Sequence, residues 1–180
     1  NRYARSSETD KLFMCDMINL YGSCMMEKLP YSDYNWVVDM TLNDLMAVDV
    51  NGDMGYFVEV DAYIPEHLHD VYNDLPPMPE KIIITESMLS PLSTAIRVDC
   101  ALPTRFKEKK LTPNLFPKFG YVTHIKTLQL YVGLGVKVVR VGQVLAFKQK
   151  AWLQPYVQHH TMKRAQAHSK VRRDFHKKLI

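Results

Sequence analysis

Asp16 is the first residue of this chain that invites a chemical reading. It closes an apolar run, Leu12 to Cys15, and is followed by Met17, Ile18, Asn19, Leu20, Tyr21 and Gly22. A carboxylate at the tip of a buried strand suits magnesium-dependent phosphoryl chemistry, because Mg²⁺ prefers hard oxygen ligands in a near-octahedral array. Tyr21, five positions on, can form the floor beneath a nucleotide sugar. Near the other end, Arg173 and Lys177 stand four apart, which stacks them on one face of a helix. Such a pair suits a triphosphate, since Arg offers a planar fork to paired oxygens and Lys a compact charge. Arg164 adds a third cation from the preceding turn or helix. Each feature has a plainer alternative. Asp16 can be a capping residue after a core strand, and the basic helix can be a solvated face or touch only the backbone phosphates of DNA.

Three other patterns look chemical and fail on their spacing. Asp49, Asn51 and Asp53 alternate as in a calcium loop, but the sixth position is Met54 rather than Gly and the twelfth is Val60 rather than Glu. Asn51-Gly52 reads better as a hairpin turn before a strand. His67 and His69 flank Leu68 with no third ligand at a convincing spacing, so they read as surface histidines on a connecting loop. Gly133-Leu-Gly135 lacks the third glycine of a dinucleotide loop and precedes a strand. The three cysteines, Cys15, Cys24 and Cys100, are odd in number and show no CxxC spacing. They suggest a reducing intracellular compartment and no zinc site.

The elements that must position these residues follow from periodicity. With 180 residues and 47% hydrophobic content, the chain can bury a sizeable core. No apolar run approaches the roughly 20 residues of a membrane span, and no signal peptide is visible. It begins at Asn1 rather than Met and stops at Ile180 within a helical pattern, so it reads as a fragment. Gly55–Tyr63 is the clearest strand, with β-branched and aromatic residues. Ser23–Leu29 reads as a short helix stopped by Pro30, Trp36 and Val37 as core, and Leu42–Val48 as a helical turn or two. Ile82–Thr85 reads as a short strand and Arg105–Pro113 as an exposed basic loop. Thr123 is placed to cap a helix over His124–Leu134. Val136–Phe147 reads as a strand kinked at Gly142. Ala151–Ile180 reads as two helices broken near 165–169, with Val171 and Phe175 packing. Residues 161–180 hold 7 Lys and Arg against 1 acid, whereas the rest hold 16 against 18. Positive charge is therefore local, which favours a polyanion site there.

Asp-x-x-x-Leu-Tyr-Gly, ending at Gly22, resembles the first catalytic motif of B-family DNA polymerases, usually written Asp-x-x-Ser-Leu-Tyr-Pro. Asn19 and Gly22 stand in place of the Ser and Pro. The Asn-Leu-Tyr-Gly form resembles the protein-primed branch, of organellar and viral type, found in phages, linear plasmids and Maverick (Polinton) transposons. Phe57-Val-Glu-Val-Asp-Ala-Tyr-Ile-Pro-Glu-His-Leu-His-Asp70, then Asn73-Asp-Leu-Pro and Pro79-Glu-Lys-Ile, are similar to the Maverick-type enzymes almost word for word. The likeness continues through Leu128-Gln-Leu-Tyr, Val144-Leu-Ala-Phe-Lys-Gln and Trp152-Leu-Gln-Pro-Tyr-Val157. Tyr156-Val-x-x-x-Thr-x-Lys-Arg-x-x-Ala167 resembles the approach to the second catalytic motif. Asp174-Phe-His-Lys177 then falls on Asp-Phe-aromatic-Lys, and a shift of one residue gives the lysine's role to Lys178.

The resemblance implies an α+β fold: a polymerase palm, with an antiparallel sheet and packed helices, an inserted subdomain and a C-terminal helical fingers segment. The expected division is 1–63 palm with the first motif, 64–120 insertion-like, 121–150 helix–strand segment, and 151–180 fingers helices. It implies DNA-directed DNA polymerase activity, with DNA primer-template and dNTPs as partners, a terminal priming protein gripped by the insertion, and no membrane. Asp16 is expected to be catalytic and to ligate Mg²⁺ with help from the Met17 carbonyl. Leu20 and Tyr21 are expected to cradle triphosphate and sugar, Tyr21 excluding ribonucleotides by its bulk. Arg164, Arg173 and Lys177 or Lys178 are expected to neutralise the triphosphate. The second acidic motif, Asp-Thr-Asp, and the exonuclease have no counterpart in 1–180, so this chain alone is not expected to polymerise DNA. Ile18 and His176 depart from the pattern, as in a degrading transposon copy. A eukaryotic transposon would act in the nucleus. The competing expectations are a non-catalytic DNA-binding module and an inactive relic.

Overall fold

The computed structural model of the chain describes residues 14–17, 19–102 and 108–180. Its elements run α1 (Leu20–Met25), β1 (Leu29–Val37), α2 (Leu42–Ala47), β2 (Met54–Tyr63), α3 (His69–Tyr72), β3 (Glu80–Ile82) and α4 (Pro91–Asp99). There follow β4 (Lys110–Thr112), β5 (Lys118–His124), α5 (Ile125–Gly133), β6 (Lys137–Lys150), α6 (Gln154–Ala165) and α7 (Lys170–Lys178). Among the described residues these make a four-stranded sheet in the order β1-β6-β2-β5 and a two-stranded sheet of β3 and β4. β2 runs antiparallel to both its neighbours. The α+β class with an antiparallel sheet and packed helices is therefore observed.

β2 is a strand because its residues alternate for a half-buried sheet. Val58, Val60 and Ala62 are buried, and with Leu45, Ile64, Met78, Ile125, Leu128, Val136 and Val144 they form the core. The expected kink of β6 at Gly142 is a β-bulge: Val58 faces Val144 but Val60 faces Val141, so Gly142 and Gln143 together oppose Glu59. A Cβ there would displace the ends of the Glu59 and Arg140 side chains from their present positions. Arg140 reaches across the same bulge, donating from Nε to Asp61 at 2.6 Å and from its terminal nitrogen to Glu59 at 3.2 Å. Gly120, at φ 59°, makes a second irregularity in β5, and its N–H donates to the Asp61 carboxylate at 2.7 Å.

Four of the helices, α2, α4, α5 and α7, start where a side chain catches a free amide. Thr41 and Asp44 form a capping box on α2. α5 begins one residue later than expected: its cap is His124, whose Nδ1 accepts from the Lys126 N–H at 3.1 Å, while Thr123 is the buried penultimate residue of β5. Gln129 then donates to the carbonyls of Leu45 at 3.0 Å and Val48 at 2.9 Å, satisfying the open end of α2.

Several expectations change. Pro30 does not stop a helix but lies near the start of β1, a sheet-edge strand, where proline is tolerated. Trp36 is 67% exposed on that strand, not core. Asn51-Gly52 does make a turn before β2, with the Gly52 N–H on the Asp49 carbonyl at 3.0 Å. What precedes it is α2 rather than a strand, so it is no hairpin. The strand at Ile82–Thr85 lies instead at Glu80–Ile82 and pairs with Lys110–Thr112, inside the stretch read as a basic loop. Residues 103–107 of that stretch lie outside the described residues.

The two sheets are fastened by a lysine. Lys118 is 1% exposed, and its Nζ meets Glu80 Oε1 at 2.6 Å, the Asn114 carbonyl at 3.3 Å and the Asn114 side-chain oxygen. Burial pushes the Glu80 carboxyl up, but hydrogen bonds from Lys118 and Asn114 outweigh it and hold the group below its ordinary 4.5.

Two compact units divide the chain: the described part of Asn1–Tyr31 together with Gln149–Ile180, and Ser32–Lys148. Within the second unit β2 hydrogen-bonds to both β5 and β6. The second unit comes in along β1 and goes out along β6, which are neighbours in the sheet. Asp33 and Lys148 meet at 2.7 Å, and the Tyr34 ring sits 6.0 Å from that of Phe147.

Lys118→Met should lower unfolding stability by about 3 kcal/mol, because it strands a partly buried carboxylate, as read by urea denaturation. With its value depressed in the fold, Glu80 contributes stability that is present above 4.5 and lost as pH falls below it. Glu80→Gln should therefore flatten the acid side of the stability–pH curve relative to wild type.

Candidate functional site

All the residues singled out for chemistry belong to the first unit, so their neighbourhood can be described within it. Asp16 and Met17 are exposed and belong to no helix or strand. The expected buried strand ending in Asp16 is not found over its described part: Met14 is fully exposed and Cys15 is exposed. Neither belongs to a sheet, and without a neighbouring ladder an apolar run has nothing to make it a strand. Leu12, Phe13 and Ile18 lie outside the described residues.

The chain then turns through Asn19, which holds the left-handed conformation at φ 57°, ψ 44° and accepts the Ser23 N–H on its carbonyl at 2.9 Å. Asparagine tolerates that conformation better than most residues with a side chain. Leu20 and Tyr21 follow in the first turn of α1, not in a turn ahead of a helix beginning at Ser23. Tyr21 is 83% exposed, so its ring is free to lie against a ligand. Gly22 is buried, and a Cβ there would collide with the amide group of Asn19. The two departures from the Ser-Leu-Tyr-Pro pattern are thus one structural unit, in which the Asn19 side chain occupies the space a larger residue 22 would need.

α1 packs against α6, and α6 against α7. The expected break between the two helices is found at Gln166–Ser169, where Ser169 caps α7 by accepting the Arg172 N–H at 3.3 Å. Val171 and Phe175 do not pack; both are exposed. The contact to α6 is made instead by His176, whose Nδ1 lies 3.0 Å from Nδ1 of His160.

That contact fixes how the cations are disposed. A helix turns about 100° per residue, so Arg173 and Lys177 lie about 60° and 100° from His176 on one flank of the α6-facing side. Lys178 lies about 200° away, on the opposite side. Arg164 is one turn on from His160, half-buried and on the same side of α6. Because α7 folds back on α6, the steps from His160 to Arg164 and from His176 to Arg173 both lead toward the connecting turn. The arrangement favours Lys177 over Lys178 as the partner of Arg173.

The donor set at Asp16 and Met17 is one carboxylate and one backbone carbonyl. It fits Mg²⁺ when the rest of the octahedron comes from substrate phosphates and water, a mode the ion commonly adopts. Elsewhere, His69 uses its Nε2 on the Ile64 carbonyl at 2.9 Å, a local tie beside the core. No helix of the described residues is long and apolar enough to cross a membrane. Sequence reasoning missed the part played by His160 and His176; two histidines sixteen residues apart carry no pattern until the hairpin is known. No protein-family model, curated protein or solved structure matches this chain.

The Asn19–Gly22 coupling has a direct test. Gly22→Ala should cost about 1–3 kcal/mol by overpacking, measured by thermal or chemical unfolding. Adding Asn19→Gly should restore most of the loss, since glycine clears the space and accepts the positive φ.

Proposed function

We propose that this chain is part of a DNA-directed DNA polymerase of the protein-primed B family, carrying the first catalytic motif and the start of the fingers. The observation that supports this best is the make-up of the first unit. The Asp16–Gly22 stretch leads into a helix packed on α6, and α6 and α7 carry the triphosphate-suited cations, although Ser32–Lys148 intervenes in sequence.

In this reading Asp16 and the Met17 carbonyl hold Mg²⁺, which supplies electrophilic stabilisation of the phosphates. Tyr21 lies beneath the sugar and excludes a 2′-hydroxyl by its bulk, while Leu20 packs beside it. Arg164, Arg173 and Lys177 hold the triphosphate oxygens and favour charge developing on the departing pyrophosphate. The primer 3′-hydroxyl attacks the α-phosphorus, the bond to the β-phosphate oxygen breaks, and pyrophosphate leaves. In this reading the second acidic motif, Asp-Thr-Asp, is not supplied by residues 1–180. Residues 64–120 are the counterpart of the insertion that grips the priming protein.

A second reading has its own support: Arg172, Arg173, Lys177 and Lys178 are all exposed on α7, as suits a helix that binds only DNA backbone phosphates.

The test extends the reading frame past Ile180 and measures Mg²⁺-dependent dNTP incorporation on a primed template. Incorporation lost in Asp16→Ala supports the polymerase. No incorporation by a folded protein, with salt-sensitive DNA binding unchanged in Asp16→Ala, would establish the binding module instead. Within the polymerase reading, Arg173→Ala and Lys177→Ala should each weaken dNTP affinity about tenfold through a lost charge-assisted hydrogen bond. Lys178→Ala should change it little.

A further inference from the structure

We propose that His160 and His176 form a proton-gated clasp that sets how α7 lies on α6. Their Nδ1 atoms are 3.0 Å apart, and their ring centres 5.3 Å apart with planes inclined by 37°. Both side chains are half-buried. The rings of Tyr156, at 4.6 Å, and His159, at 5.2 Å, flank His160, and the Phe175 ring stands 5.2 Å from that of His176.

A hydrogen bond between two imidazole nitrogens needs one N–H and one lone pair. A neutral pair meets that requirement with complementary tautomers. A singly protonated pair also meets it, with a stronger, charge-assisted bond. A doubly protonated pair does not: two N–H groups and two positive charges then face each other with no acceptor between them. The clasp is therefore closed with one proton or none added to the neutral pair, and opened by the second.

The surroundings oppose that second proton. From α6 the pair is faced by His159, Lys163 and Arg164, with the phenol of Tyr156. From α7 it is faced by Arg172, with Arg173 and Lys177 on the flank. α1, packed on α6, carries Tyr21 and Cys24 as its titratable residues, both exposed. The nearest carboxylate on α7, Asp174, points to the far side, about 160° around the helix from His176. Partial burial first, then the charges of His160, His159, Lys163 and Arg172, hold His176 below the ordinary histidine value of 6.5. A group lowered in this way contributes stability that is present above 6.5 and lost as pH falls below it. Opening follows the proton that leaves the two facing nitrogens with no acceptor between them. The clasp is closed at neutral pH and opens in mild acid.

Opening uncouples the α6 cation, Arg164, from the α7 cations, Arg173 and Lys177. That this alters the grip on a triphosphate rests on the proposed function; the clasp itself does not.

The test is amide hydrogen exchange on the whole chain at about pH 7.5 and about pH 5.5, bracketing the histidine range and corrected for intrinsic rate. In wild type, the α7 amides should lose about tenfold in protection at the lower pH relative to β2. His176→Phe and His160→Phe each keep a ring for packing but remove the titration, and should hold equal α7 protection at both values. Equal protection in wild type, or the same acid loss in the phenylalanine variants, overturns the proposal. Should the variants fail to fold, ¹⁵N NMR of wild type decides. A through-hydrogen-bond coupling between the two Nδ1 nuclei should be present at neutral pH and vanish in acid, and its absence at neutral pH overturns the clasp. Neither readout involves nucleotide, so failure of the polymerase reading leaves the result standing.

Discussion

Everything in the larger unit depends on β2 being hydrogen-bonded along both edges at one register. Val58, Val60 and Ala62 face the core only in that register, and a slip of a single residue would present Phe57, Glu59 and Asp61 to it instead. The irregularities at Gly142 and Gly120 pin the alignment, because each places a glycine where a carboxylate of β2 needs room or a donor. Once β2 is fixed, α5 has a surface to lie on, and Gln129 can reach the end of α2. Lys118, carried by β5, is then aimed at Glu80. The charged groups act mainly as locators. Arg140 is half exposed, so its ion pairs define geometry more than they stabilise the fold.

Where local pattern and tertiary packing agree, the sequence could be read. β2, α2, the kinked β6 and the broken helical tail each carry a period or a breaker strong enough to survive packing. The misread elements are those whose neighbours decide. Trp36 belongs to a residue type usually buried, but an edge strand leaves its side chain to solvent. Lys110 sits in a strand because β3 lies beside it, a partner that no local window contains. Val171 and Phe175 follow an apolar spacing on a helix whose packed side is chosen by the turn after α6, and that turn aims His176 inward. In the run before Asp16, the described residues Met14 and Cys15 are exposed and belong to no strand.

The candidate site was legible as a set of residues and not as an arrangement. Residue types and spacing suggested the carboxylate, the tyrosine and the cations. The packing of α1 on α6 sets the helix of Leu20 and Tyr21 against the one that carries Arg164, and the helix rotation set by His176 separates Lys177 from Lys178. Asn19 and Gly22 show how a departure from a familiar pattern can be internally consistent. The left-handed backbone at Asn19 directs its amide over Gly22, so the two positions form one steric solution and neither is free to drift alone.

The neighbouring positions of β1 and β6 have a genealogical consequence. Adjacent strands in a sheet are about 4.8 Å apart, so the polypeptide leaves the larger unit close to where it came in. A gene encoding only the smaller unit can gain or lose the whole of Ser32–Lys148 at a single locus without stretching the chain on either side. The segments before and after it then keep their own packing.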